Sequence, residues 1–172
     1  MKHVSFALCL VSLATACQST GAGGAQDPKL RQTLLDSVKS LEGTWEGPGQ
    51  GGQTMRLEFH VASNGSIVRE VMFPGTPHEM LNVYSLDGNS LLVTHYCAMG
   101  NQPHMRATGR EGRFLDFRCD SVSDLDKPDE MYMGELTLEL PDQDHLVEHW
   151  RTFSKGKHLA EQNVDFALTR VK

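Results

Sequence analysis

The chain has 172 residues, room for one domain whose core buries about two thirds of the surface its unfolded form exposes, so neither metal nor disulfides are needed for folding. Sixteen Lys and Arg against 22 Asp and Glu give a net charge of −6, which argues against a nucleic-acid binder. Past the first residues no apolar run approaches bilayer-spanning length.

Met1 and Lys2 precede the apolar run from Val4 to Leu13 and the small residues Ala14-Thr15-Ala16, the pattern of a secretory signal over residues 1–16. Cys17 follows at once, and Leu13-Ala14-Thr15-Ala16-Cys17 resembles a bacterial lipobox, in which that cysteine is acylated and becomes the first residue. The resemblance implies a lipid-anchored protein of the cell envelope, touching the membrane only through its N-terminal lipid. Gln18 is not the acidic residue associated with inner-membrane retention, so a source with two membranes would carry it on the outer membrane, facing the periplasm. Plain cleavage after Ala16 would instead release a soluble periplasmic or secreted protein. Residues 17–27 are small, polar and glycine-rich, a flexible tether to a domain over 28–172.

Asp27 caps a helix with Pro28 at its first position, and Leu30, Leu34, Leu35, Val38 and Leu41 recur at helical spacing up to Gly43. The period then becomes two: Met55, Leu57, Phe59 and Val61 alternate with Thr54, Arg56, Glu58 and His60. Asn64-Gly65 and Asp87-Gly88 are strong hairpin signals, and Pro74-Gly75 ends a strand that starts at Ile67. Further strands are expected near 79–86, 91–97, 104–109, 114–120, 131–140, 145–153 and 159–170, all but one pair joined by short turns. The exception is the acidic stretch from Asp120 to Glu130, a loop at a barrel end or a break in the wall. Short turns leave no room for crossover helices, so the fold class is all-β: an antiparallel up-and-down barrel of eight to ten strands with a short N-terminal helix. Such a barrel has space for one small ligand.

Gly43-Thr44-Trp45, at the start of the first strand and just after the helix, resembles the Gly-x-Trp signature of lipocalin and calycin barrels. The resemblance implies that Trp45 closes one barrel end with Arg170, from the last strand, packed across its face. Val83-Tyr84-Ser85-Leu86-Asp87-Gly88 and the stretch Leu92 to Pro103 are similar to a group of bacterial exported lipocalin-like proteins of unassigned function. That similarity spans most of the chain from Leu41 onward and implies a calycin-type barrel; it brings no activity, cofactor or catalytic residue with it.

His95 and Cys97 share one face of a strand, about 6.6 Å apart at 3.3 Å per residue, with His104 on the adjoining strand. Backbone-satisfied rim residues, contacts to a small ligand, and a zinc or copper site are the readings open to this group; no C-x-x-C or H-x-H spacing supports the metal. His145-Leu146-Val147-Glu148-His149 spells the inverted zincin motif H-x-x-E-H. It lies in a strand, where four residues cover about 13 Å, too far for one ion, and its strand context leaves His149 as a candidate for facing the cavity. A haem held by His95 or His149 is conceivable by analogy with haem-binding ten-stranded barrels. Cys97 and Cys119 either stay free or pair as a disulfide, which a plain meander would hinder by placing them on strands about 9 to 10 Å apart.

The residues assigned to ligand contact are therefore His95, Cys97, Asn101, Gln102, His104 and His149, with Trp45 and Arg170 as the barrel closure and Cys17 as the lipidation site. No metal or cofactor is assigned. The expected function is binding of a small, largely apolar molecule in the barrel. Alternatives are an enzyme acting on a small envelope metabolite through His95 and Cys97, and an envelope interaction or scaffold module.

Overall fold

A computed structural model describes residues 25–172; the leader, the cleavage site, Cys17 and most of the tether lie outside the described residues. Helix α1 (Pro28–Lys39) starts where the Asp27 side chain accepts hydrogen bonds from the amides of Lys29 and Leu30, with Pro28 supplying a first turn that needs no amide donor. Its apolar face buries Leu34, Leu35 and Val38.

Eleven strands follow: β1 (Gly43–Pro48), β2 (Thr54–Ala62), β3 (Ile67–Met72), β4 (Met80–Asp87), β5 (Ser90–Tyr96), β6 (Gln102–Ala107), β7 (Phe114–Ser123), β8 (Met131–Glu139), β9 (His145–Ser154), β10 (Lys157–His158) and β11 (Val164–Arg170). From β1 to β9 each pairs antiparallel with the next, and β11 joins β9 back to β1, so ten strands close a barrel. The stretch expected as one strand over 159–170 is divided. β10 continues the hairpin from β9, a 3₁₀ turn at Ala160–Gln162 steps outward, and β11 then resumes along the same edge. Thr152 fixes that step, its hydroxyl donating to Gln162 O at 2.7 Å and its amide to Asn163 Oδ1 at 3.3 Å.

The up-and-down path gathers four hairpins at one end, and α1 lies across them. Arg31 donates to Gly88 O in the β4–β5 turn, Lys39 Nζ approaches Gly65 in the β2–β3 turn, and Arg110 before β7 donates to Ser37 Oγ. Below the helix, Trp45, Leu57, Leu91, Leu115, Phe117, Leu136 and Leu146 form a core with no exposed surface.

The wall is not uniformly laced. Between β7 and β8 only Phe114–Arg118 pair with Glu135–Glu139. The remainder of β7 pairs with β6 alone, and Met131–Met133 of β8 with β9 alone. Each strand carries one extra residue near this parting, Asp120 opposite β6 and Gly134 opposite β9. A Cβ on Gly134 would lie 2.6 Å from the Phe153 ring, so only glycine lets that ring lie flat over the bulge.

Candidate functional site: a buried polar ring inside the barrel

Strand pairing sets Phe59, Glu70, Asn82 and His95 side by side in one cross-strand row over β2 to β5. In all four the side chain is buried, and Glu70 and Asn82 have no exposed surface at all. Asn82 Nδ2 donates to Glu70 Oε2 at 2.7 Å, and Tyr84 Oη donates to the same oxygen at 2.7 Å. On the other side of Asn82, its Oδ1 stands 2.7 Å from His95 Nδ1. The His95 ring packs on Trp150 with centroids 4.8 Å apart, and Trp150 Nε1 donates to Glu148 Oε2 at 2.9 Å. Glu148, also fully buried, stands near enough to Glu70 that the two acids shift each other, and this completes the circuit. Five side chains from β3, β4, β5 and β9 thus form a closed ring, with Tyr84 attached to it.

The ring's electrostatics follow from its burial. Desolvation raises the pKa of Glu70, against the lowering effect of the Asn82 and Tyr84 donors. Desolvation and then the Glu70 charge raise Glu148 well above the ordinary carboxylate range. In both acids burial therefore favours the neutral carboxyl over the carboxylate. Burial and the same two acids push the Tyr84 phenol well up, while burial alone brings His95 down to about 4, leaving a neutral imidazole.

Three atoms in the ring lack a hydrogen-bond partner among the described residues: Glu70 Oε1, Glu148 Oε1 and His95 Nε2. Such an atom costs about 1–3 kcal/mol when left bare in a protein interior.

At the closed end the polar groups are satisfied. Trp45, with no exposed surface, donates from Nε1 to Leu41 O at 2.8 Å. The Arg170 guanidinium lies 4.2 Å above its ring and donates to the carbonyls of Ser40, Glu42 and Gln143. Gly43, at φ 124°, allows this approach, because a Cβ there would sit 3.3 Å from Arg170.

The other residues singled out in the sequence are scattered. His95 is in the ring, and Cys97 is half-buried one inward position nearer the mouth, its thiol pushed up by burial. Asn101 is buried and ties the loop after β5 to the loop before β8 through bonds to Glu130 Oε1 and Met131 O; Gln102 only donates to Gly100 O nearby. His104 points outward between Thr94 and Ser123. His149 also points outward, held by Asp165 and Glu139, which corrects the expectation that it could face the cavity. The reversal has a simple cause: Leu146, Glu148 and Trp150 form the inward face of β9, so the alternate residues Val147 and His149 face out. Cys97 and Cys119 are both free thiols.

Glu70, Asn82, Tyr84, Glu148 and Trp150 did not stand out in the sequence as site residues. A cue existed in spacing: Glu148 lies two residues from both Leu146 and Trp150, and Glu70 two from Val68 and Met72, so each carboxylate must share a face with large apolar neighbours. Among the described residues no group of His, Cys, Asp or Glu is placed to hold a metal ion. Two surface clefts of about 560 and 670 Å³ lie beside Arg106 and Arg118, and beside Trp45 and Arg170, away from the ring. No family model matches the chain, and no curated protein matches it either.

Proposed function

We propose that this is an exported, lipid-anchored, lipocalin-like binding protein that holds a small, largely apolar molecule in its barrel, with the polar end of the guest against the ring. The observation that carries the reading is the set of three polar atoms of the buried ring that have no hydrogen-bond partner among the described residues. A barrel built only for stability would place apolar side chains there. Above the ring, Met72 and Met80 stand opposite each other, and Phe73 meets Phe166 edge-on at 5.7 Å across the mouth. Methionines reshape at little cost, so this cover can yield to a guest. Phe73 is also held at φ 54°, a strained setting for a bulky residue and one found where function needs it. The lipobox-like leader supports the anchored location.

Chemistry by His95 and Cys97 has less support. Burial keeps the imidazole neutral and the thiol protonated, the reverse of an activated thiolate pair.

Native mass spectrometry tests the proposal on a Cys17→Ser protein purified from its own host. One small molecule per chain is expected on the parent protein. The His95→Phe variant, with folding checked by its thermal melt, should lose most of that occupancy. A folded protein that carries no added mass, even after exposure to extract from the same cells, would overturn the proposal.

A further inference from the structure

We infer that the interior ring is a receptor for a primary ammonium group, so that the guest is a small amine with an apolar tail. The inference rests on the binding reading above and specifies the chemistry of its polar end. Every N–H and phenol donor in the ring is already committed. Asn82 Nδ2 serves Glu70 and contacts Met72 Sδ, the Tyr84 hydroxyl serves Glu70, and the Trp150 indole serves Glu148. Because Asn82 turns its amide nitrogen to Glu70, the atom facing His95 is the carbonyl oxygen Oδ1, an acceptor. The His95 proton must then sit on Nδ1, which leaves a lone pair on Nε2. His95 Nε2 is consequently an acceptor, and Glu70 Oε1 and Glu148 Oε1 are acceptors once their carboxyls are ionised.

Charge leads to the same group. Among the described residues neither glutamate makes a hydrogen bond or salt bridge to a Lys or Arg, and no cation figures among the groups that shift them. Buried carboxylates ordinarily have such a partner. An alkylammonium brings three N–H donors and one positive charge to three acceptors and an acidic pair, and the Trp150 ring stands beside them as a surface a cation favours. A carboxylate or phosphate guest would instead bring a further negative charge to the acidic pair. The tail would extend toward the adaptable Met72 and Met80.

Isothermal titration of the Cys17→Ser protein with 2-phenylethylamine, 2-phenylethanol and phenylacetate tests this directly, since the three share a ring and differ in the head group. The ammonium should bind about tenfold or more tightly than the alcohol, the factor one charge-assisted hydrogen bond supplies, and phenylacetate should give no heat. In Glu70→Gln and Glu148→Gln, which keep the shape of the side chain, the preference for amine over alcohol should fall to about twofold. A folded Gln variant that keeps the full preference would overturn the inference. Vesicles containing phosphatidylethanolamine, mixed with the protein and separated again, distinguish an aminolipid from a free amine as the source of the group; transfer of lipid and binding of soluble amine alone both support the ammonium receptor. Equal binding of amine and alcohol, or binding of phenylacetate, would overturn it while leaving the barrel a binding protein. Ammonium that meets only water-filled or closed space, seen as no heat from any of the three compounds, would also overturn it; the binding reading falls with it only if native mass spectrometry finds no guest.

Discussion

The two ends of the barrel interior obey opposite rules. Around Trp45 every strong donor has an acceptor, and the guanidinium of Arg170 ties the helix end and the β8–β9 hairpin together across the indole. Around His95 the same barrel leaves three polar atoms bare and sets two acids face to face without a cation. The first region is what stability alone would select. The second departs from that pattern in the manner of functional sites, which break local rules that the rest of the molecule keeps.

The sharpest way to break this contrast is to damage the satisfied end. Trp45→Ala removes the largest side chain with no exposed surface and is expected to cost about 3–5 kcal/mol in urea unfolding. In whatever fraction remains folded it should leave guest retention near the parent level. Retention lost in proportion to that in His95→Phe would mean that the two ends are not separate in function.

An intermediate effect is expected from pH, and the ring's two kinds of group act in opposite directions. His95 titrates near 4 when folded against 6.5 when unfolded, so the stability due to its neutral form is complete above 6.5 and is lost as pH falls toward 4, by about 3 kcal/mol at most. The glutamates, raised by burial, do the reverse: their contribution is complete below about 4.5 and is lost as pH rises through their folded values. Unfolding free energies measured from pH 4 to 9 should show the acid-side loss reduced in His95→Gln and the alkaline-side loss reduced in Glu148→Gln. Parallel curves for parent and variants would show that neither group is buried as described.

The smallest effect belongs to the outer histidine. His149 is partly exposed and bridges Asp165 and Glu139 on the barrel's outside, so His149→Ala should change stability by about 0.5 kcal/mol or less and guest retention not at all. A loss of retention there would move the binding surface from the inside of the wall to its outside.

The barrel was legible because each local signal agreed with the whole. Asp27-Pro28 starts the helix where a cap and a proline should, and Gly88 turns the β4–β5 hairpin at φ 56°. Period-two patterning located most strands, but it does not tell which face is inside when both carry apolar residues. In β3 the inward Val68, Glu70 and Met72 alternate with Ile67, Arg69 and Val71, and a carboxylate is read by default as the solvent side. Glu70 was hidden by that default, and His149 was misplaced by the same ambiguity in β9. The break in the final strand at Ala160–Gln162 was hidden for another reason, since it depends on Thr152 from a neighbouring strand rather than on residues within the segment.

The parting between the far half of β7 and the near half of β8 gives the cylinder a seam. No ladder joins these two segments, and Asn101 ties the wall there instead, donating to Glu130 Oε1 and to Met131 O at the start of β8. Amide hydrogen exchange should therefore be fastest along that seam, where side chains take the place of ladder bonds.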